Sequence, residues 1–348
     1  MRKEVASFIE EQPDLLRACH RQLYGKTVLG FALLTVAWAT LVFAQLPTYW
    51  VAVAAVAFLF GAVIQSVCLL HDANHGAFFK SRRWNHLLGW TVDVVLGFGS
   101  YAWRYKHNVS HHTYPNVDGY DDDIAHAPFA RLAASQPVRP WYRWQHMYMW
   151  FVYPLALFRW HITDLMSLRR NALGKSQFRP PRGWDLVGVL VGKFLFVCGA
   201  IGVPLLFHEW QHVLLMYFAL TMTASAVMAV VFQLAHAVEE ADFASPQALA
   251  AEPREWAVYE VESTVGFCHD NSALTWLLGG LNFQIEHHLF PRLPHTIYPL
   301  IAPIVESAAR AHGVRYYSHP TLRAAVASHY RHLRAMGVQG VRPELEMG

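Results

Sequence analysis

Charge and cysteine are both scarce in this chain, and each shortage narrows what it can be. Only 15% of the 348 residues are charged, whereas 54% are hydrophobic and 13 are Trp; the mean hydropathy is +0.19. A soluble fold of that composition would expose large apolar patches, which favours one membrane domain over two soluble ones. The net charge of +3 is too small to suggest nucleic acid, and no basic run with interleaved aromatics argues otherwise. Cys19, Cys68, Cys198 and Cys268 lie far apart without a Cys-x-x-Cys pair, so neither a disulfide framework nor a zinc ribbon is supported. Cys68 and Cys198 fall in apolar runs and read as small core residues. A metal site, if there is one, has to be built from histidine.

Lys and Arg are absent between Lys26 and Lys80, where two apolar runs, 28–46 and 49–70, flank Pro47 and Thr48. Each is near the roughly 20 residues a spanning helix needs, and so short a break makes a tight hairpin. A second hairpin is expected from 184–207 and 211–236, joined by His208, Glu209 and Trp210. Segments 1–26, 71–183 and 237–348 hold every Lys and Arg but Lys193, so the positive-inside rule places all three, with both termini, in the cytosol. Lys193 lies inside the third span, where it either snorkels or faces a polar cavity. Segment 1–26 lacks a small-residue cleavage site and reads as no cleaved signal peptide. Phe8, Leu15, Leu16, Cys19 and Leu23 form a partial helical stripe that suits an interfacial or a surface helix. Apolar stretches 87–102 and 145–160 are short and carry Asp93 and Arg159, so they are expected to be interfacial or re-entrant. Trp141, Trp144, Tyr148 and Trp150 suit an aromatic belt. The fold class expected is all-α and integral to a membrane, one domain over 1–348 with four transmembrane helices in two hairpins (28–70 and 184–236).

The 21 histidines make doublets weak evidence, since about 1.3 His-His pairs are expected by chance and two occur. Their placement is more informative. His71 and His75 sit at the inner end of the second span, at i and i+4. His107, His111 and His112 follow in the next cytosolic segment, and His236 closes the fourth span. Gln284, His287 and His288 stand at i, i+3 and i+4 of an expected helix, leaning toward one point. All face the cytosol at membrane depth. Neutral imidazole suits iron, zinc, copper and nickel. Eight histidines are too many for one ion and about right for two, while catalytic zinc typically takes three protein ligands and a water. A histidine-rich two-metal site opening toward a bilayer points to redox iron and an oxygen-dependent attack on a lipid chain.

These motifs resemble those of the membrane fatty acid desaturases with three histidine boxes. HDANH (71–75) matches the first box, HNVSHH (107–112) with the following TYPN the second, and GGLNFQIEHHLFP (279–291) the third; the resemblance runs from about residue 28 to 315. It implies a four-helix transmembrane bundle under a cytosolic helical cap that holds two Fe ions, with O2 as co-substrate. It further implies one iron on His71, His75, His112 and His288 and the other on His107, His111, His236 and His287. Gln284 replaces a histidine of many relatives, as in front-end desaturases and a set of bacterial ones. That makes Gln284 a weak ligand or a partner of the ligands, and Asn282 similarly able to steady a bound water. Many front-end members carry a fused cytochrome b5 domain with a His-Pro-Gly-Gly motif; none occurs here and segment 1–26 is too short for one. Electrons are therefore expected from a separate donor such as ferredoxin, or cytochrome b5 with its reductase.

Asp72 and Glu286, embedded in the boxes, are candidates to accept the second ring N–H of ligating histidines. Asp118 and Asp121 to Asp123 could do the same or form a solvated acidic loop. Small residues Gly61, Ala62, Ser66, Ala224, Ser225 and Ala229 either leave room for an acyl tunnel or pack helices. Lys80, Arg82, Arg83, Arg104 and Lys106 either set topology or meet phosphates of a carrier, so acyl-CoA, acyl carrier protein and phospholipid all stand as substrate forms. His20, His86, His126, His146, His161, His208, His212, His269, His295 and His312 are expected at the surface or membrane interface. The reading is a fatty acyl desaturase of a cell inner or plasma membrane. A hydroxylase or acetylenase with the same iron is the alternative, and a zinc hydrolase or metal transporter the reading from another class. Transport predicts ligands in mid-span, which these are not.

Overall fold

A computed structural model describes residues 1–173, 176–251 and 254–339; the end of the expected C-terminal segment, 340–348, lies outside the described residues. A short helix α1 (Arg2–Glu11) leads into α2 (Pro13–Phe43), which Pro13 opens at a position where its missing N–H costs nothing. No further proline intervenes before Pro47, so the polar residues after Pro13 and the apolar run wind as one helix. This corrects the expected separation of an N-terminal helix from a span starting at 28. Leu15, Leu16, Cys19 and Leu23 belong to the same helix as that span, and Cys19 and Leu23 are buried.

Helix α3 (Thr48–Gln65) continues as a π-helical turn over Ser66–Ala73. It packs lengthwise on α2, and the contact is close because Gly30 and Gly61 are there. A Cβ on Gly61 would stand 2.8 Å from the Leu34 backbone nitrogen. Next come α4 (Arg82–Val95) and α5 (Ser100–Arg104), the latter running into a π-helical turn over Tyr105–His111. The 87–102 stretch is thus two helices, broken beside Gly97, whose φ is +70°. Likewise 145–160 divides into α6 (Gln145–Val152) and α7 (Ala156–Ser167) around Pro154. Strands β1 (Ala172–Leu173) and β2 (Ser176–Gln177) form a small antiparallel pair.

Helices α8 (Trp184–Val197) and α9 (Trp210–His236) follow, and then α10 (Pro246–Ala251) and α11 (Trp256–Ser263). Strand β3 (Gly266–Phe267) precedes α12 (Ser272–Leu278), α13 (Gln284–Leu289) and α14 (Tyr298–Ala311). It pairs in parallel with β4 (Ser318–His319), after which α15 (Leu322–Val338) ends the described fold.

Four helical stretches are long and apolar enough to cross a membrane: Pro13–Phe43, Thr48–Ala73, Trp184–Leu206 and Trp210–His236. They leave Val36, Val56, Phe194 and Leu215 exposed, as lipid-facing side chains would be. Helix α8 lies mainly on α4, whereas α9 touches α3, α7 and α15. Lys193 turns inward, its Nζ 3.1 Å from Asp164 Oδ2 and 3.0 Å from the Gly97 carbonyl oxygen. Its charge is therefore paired inside the helices rather than snorkelled. Asp164 also accepts from the Gly99 N–H at 2.7 Å, which ties the turn before α5 to α7.

Candidate metal centre

Four segments deliver the histidines. The π-helical end of α3 carries His71, with His75 one turn on; the π-helical continuation of α5 carries His107 and His111, with His112 at its end. His236 terminates α9, and α13 holds His287 and His288 in its last turn. Wider π-helical winding bonds each residue to the fifth before it, as in His112 N–H to His107 O (3.0 Å) and Ala77 N–H to Asp72 O (2.8 Å). It brings the His107 and His112 rings onto one side, 4.7 Å apart between centroids.

All eight side chains are buried, and their ligand atoms gather in overlapping groups: His71, His75, His107 and His287; His111, His236 and His288; His112, His287 and His288; and His107 and His111 with Asp123. The His112 ring lies 4.6 Å from the His287 ring and 4.4 Å from that of His288. Against the division that the resemblance implies, His112 stays grouped with His288, His111 with His236 and His107 with His287, while His107 and His287 also come together with His71 and His75.

Partners behind the rings fix which nitrogen faces inward. Asp72 Oδ1 accepts from His71 Nδ1 at 3.0 Å, Asp121 Oδ2 from His111 Nδ1 at 3.0 Å, and Glu260 Oε2 from His288 Nδ1 at 2.7 Å. His287 Nδ1 faces the Tyr298 hydroxyl at 3.3 Å. With Nδ1 protonated in each, the Nε2 lone pair is left to bind a cation, the usual arrangement of metal-ligating histidine. Nε2 of His71 is 3.2 Å from Nε2 of His287, and that of His112 is 3.2 Å from that of His107. Nε2 of His75, His111 and His288, Nδ1 of His112, both nitrogens of His236 and Oε1 of Gln284 are buried without a partner among the described residues. Converging lone pairs and unpartnered buried acceptors are costly by themselves and are satisfied by cations. The residues present fit metal ions.

Electrostatics agree. Burial, and then the neighbouring imidazoles, hold His75, His107, His112, His287 and His288 well below the usual histidine range, so these rings are neutral and able to ligate. Burial lowers His111 too, but the Asp121 carboxylate outweighs it and raises the ring. Burial pushes the Glu260 carboxyl up to about 9.

Among the other residues singled out in the sequence, Asp72 stands directly behind a ligand. Its second oxygen accepts from His295 Nδ1 at 2.8 Å and His295 N–H at 3.0 Å, and Lys26 Nζ lies 3.4 Å from His295 Nε2. Glu286 does not face a histidine; it accepts from the Tyr316 hydroxyl at 2.9 Å, and burial pushes it up to about 7. The Asn282 amide is taken up by the carbonyls of Phe267 and Cys268 and by Thr275 Oγ1, so it braces the turn before α13. His146 and His295 are buried, contrary to the expected surface position. Glu260, Tyr298 and Asn116 carried no assigned role. The one available signal for Glu260 was an acid set among apolar residues of α11. Asn116 Nδ2 donates to the carbonyls of His236, Asp242 and Ser263, tying the second box to the end of α9.

An apolar cavity of ≈ 200 Å³ runs between α3, α7 and α9 to His71, His107, His287 and Gln284. Ser66, Ser225 and Ala229 line it, whereas Gly61 serves helix packing. A second cavity, ≈ 480 Å³, reaches His112 and His288 from the side of α1 and Trp256. Of the five basic residues near the first two boxes, Lys106 alone lines the first cavity. Arg104 turns inward to Asn74 Oδ1 and His86 Nε2.

Residues 44–320 match the profile of the fatty acid desaturase family. An sn-1 linoleoyl-lipid 6-desaturase of Arthrospira platensis is 34% identical over 322 residues, covering 91% of this chain and 86% of the relative. The sn-1 linoleoyl-lipid 6-desaturase of a Synechocystis strain is 34% identical over 325 residues, 90% of this chain and 88% of the relative. An acyl-lipid (8-3)-desaturase of Physcomitrium patens is 33% identical over 288 residues, 81% of this chain and 60% of that longer protein. With its histidine motifs gathered in one buried site and a family match over most of its length, the chain belongs to the fatty acid desaturase family.

Proposed function

We propose that this fatty acid desaturase introduces a double bond into the acyl chain of a membrane lipid, using two iron ions held by His71, His75, His107, His111, His112, His236, His287 and His288. The observation that carries this reading is the convergence of eight buried imidazoles, four with Nδ1 held from behind, at the end of an apolar cavity. Iron supplies the oxidising power that removal of hydrogens from an unactivated methylene pair demands. In the balance two C–H bonds break, O2 is reduced to two waters, two electrons come one at a time from a separate donor such as ferredoxin or cytochrome b5, and two protons come from solvent.

The chain's own residues do the rest. Asp72, Asp121, Glu260 and Tyr298 orient the ligating rings, and Gln284 Oε1 serves as a weak ligand or holds a water beside them. The cavity walls align the chain and exclude water. The four long helices cross the membrane as two hairpins, and segments 71–183 and 237–339 form a cap on the cytosolic side, supported by the distribution of Lys and Arg. A lipid-linked substrate is supported by the acyl-lipid names of the relatives.

Expression in a host of known lipid composition, followed by fatty acid profiling with double-bond localisation, tests the reading. Loss of two hydrogens at one position is the expected result, and gain of an oxygen overturns it. Purified protein should hold about two irons per chain; a single zinc with oxygen-independent activity overturns the metal assignment. His288→Ala should abolish the product and release metal, and full turnover in that variant refutes its ligand role.

A further inference from the structure

We infer that Lys26 and His295 are positioning residues of the metal centre: through Asp72 they fix the His71 ring and set how strongly it donates to the metal it holds. The inference rests on the reading of the histidines as iron ligands and adds to it a control exerted from helix α2.

Lys26, His295, Asp72 and His71 form one buried line. Asp72 Oδ1 accepts from His71 Nδ1 at 3.0 Å, and Oδ2 accepts from His295 Nδ1 at 2.8 Å and from the His295 backbone N–H at 3.0 Å. Beyond them Lys26 Nζ stands 3.4 Å from His295 Nε2 and also donates to the Trp276 carbonyl oxygen, with the centroid of the Trp276 ring 5.0 Å away. The His295 imidazole thus separates the ammonium from the carboxylate and is the link between them.

Donor inventory places every proton along this line. An ammonium only donates, so His295 Nε2 accepts and the ring proton sits on Nδ1, aimed at Asp72. Asp72 receives three hydrogen bonds and gives none, which suits a carboxylate. His71 in turn keeps its proton on Nδ1 and leaves Nε2 to the metal. In this arrangement no two lone pairs face each other, and the line is polarised one way, with a cation at one end and a metal at the other.

The fold grips the line from two sides. His295 opens the short turn His295–Ile297 that follows the third box, and α2 holds that turn both through Lys26 and through the Cys19 carbonyl oxygen, which accepts from Thr296 Oγ1 at 3.0 Å. On the other side Gly280, with φ +66°, comes so close that a Cβ there would stand 2.7 Å from the His295 carbonyl oxygen. A lysine buried on a helix long enough to cross a membrane is costly unless its charge is compensated. Here it offsets Asp72 and draws part of that negative charge away from His71. Without Lys26 the carboxylate pulls harder on the His71 Nδ1 proton, the ring becomes a stronger donor, and the more oxidised metal is favoured.

The test uses full-length protein loaded with iron in nanodiscs. Midpoint potential, iron per chain after graded chelation and thermal midpoint are measured for Lys26→Met, Lys26→Arg, His295→Phe and His295→Gln. Lys26→Met, close in shape but uncharged, should lower the potential, with about a ten-fold smaller ratio of reduced to oxidised centre at a fixed poise, and Lys26→Arg should restore it. His295→Phe should shift the potential the same way and lose iron about ten-fold more readily. His295→Gln should stay near wild type, because one amide can donate to Asp72 and accept from Lys26. A merely structural role lowers the thermal midpoint and leaves the potential of the folded protein unmoved. Wild-type potential in both Lys26→Met and His295→Phe therefore overturns the inference. Equal shifts in His295→Phe and His295→Gln overturn it as well, and that pair decides alone if Lys26→Met does not fold. Wild type that binds no iron overturns the metal reading itself.

Discussion

Glu260 carries a ring of the second histidine group from a helix that contains none of the boxes. Its Oε2 is 2.7 Å from His288 Nδ1, both side chains fully buried. Glu286, two residues from His288 in sequence, spends its oxygen on Tyr316 instead. Sequence proximity pointed to Glu286, whereas the hydrogen bond to the His288 ring comes from Glu260 and Glu286 bonds to Tyr316. Partners of this kind typically contribute 10–100-fold to metal affinity. Glu260→Ala should weaken iron retention by about that factor, measured as iron per chain after graded chelation, whereas Glu286→Gln should retain iron as wild type does. Equal retention in the two variants would remove Glu260 from the metal centre. Asp72 was recognisable because it adjoins His71 in the same box, and Asp121 because an acidic run follows the second box. Glu260 is far from every box in the chain and adjacent only in space.

Two π-helical turns lie under the first and second boxes, at Ser66–Ala73 and Tyr105–His111. An α-helical reading of i and i+4 already places His71 with His75 and His107 with His111. Only the wider winding adds His112 to His107 on one side, a change of register that spacing alone does not reveal. Helix α3 must also sit at the right depth and close to α2, and the glycines permit it. A Cβ at Gly30 would meet Ile64 Cγ2 and Gln65 Nε2 at 2.6 Å, and one at Gly61 would meet Leu34 N at 2.8 Å. Gly61→Val should therefore push α2 and α3 apart and cost about 1–3 kcal/mol, read as a lower thermal midpoint in detergent. Because α3 ends in His71, iron content should fall with it. An unchanged midpoint would mean that the helices do not pack through Gly61.

At the scale of the whole molecule, the two cavities approach the histidines from different sides, one reaching His71, His107 and His287 and the other His112 and His288. The proposed orientation puts the turns at Gln45 and Glu209 on the face opposite the histidines. Gln45→Cys and Glu209→Cys should react with an impermeant maleimide in intact cells, and Ser135→Cys only after permeabilisation. Any other pattern breaks the two-hairpin arrangement or its direction. Helix existence, the four long apolar stretches and the eight histidines were readable from the chain, because apolar runs, their proline punctuation and motif spacing are local properties. Their bounds were less so at the N-terminus, where charged residues and an apolar run share one helix, α2. Which acids hydrogen-bond the histidines, where Lys193 finds Asp164 and which cation lines the cavity were visible only in the fold. Each of these depends on atoms distant in sequence meeting at a few ångströms, and neither composition nor periodicity carries that distance.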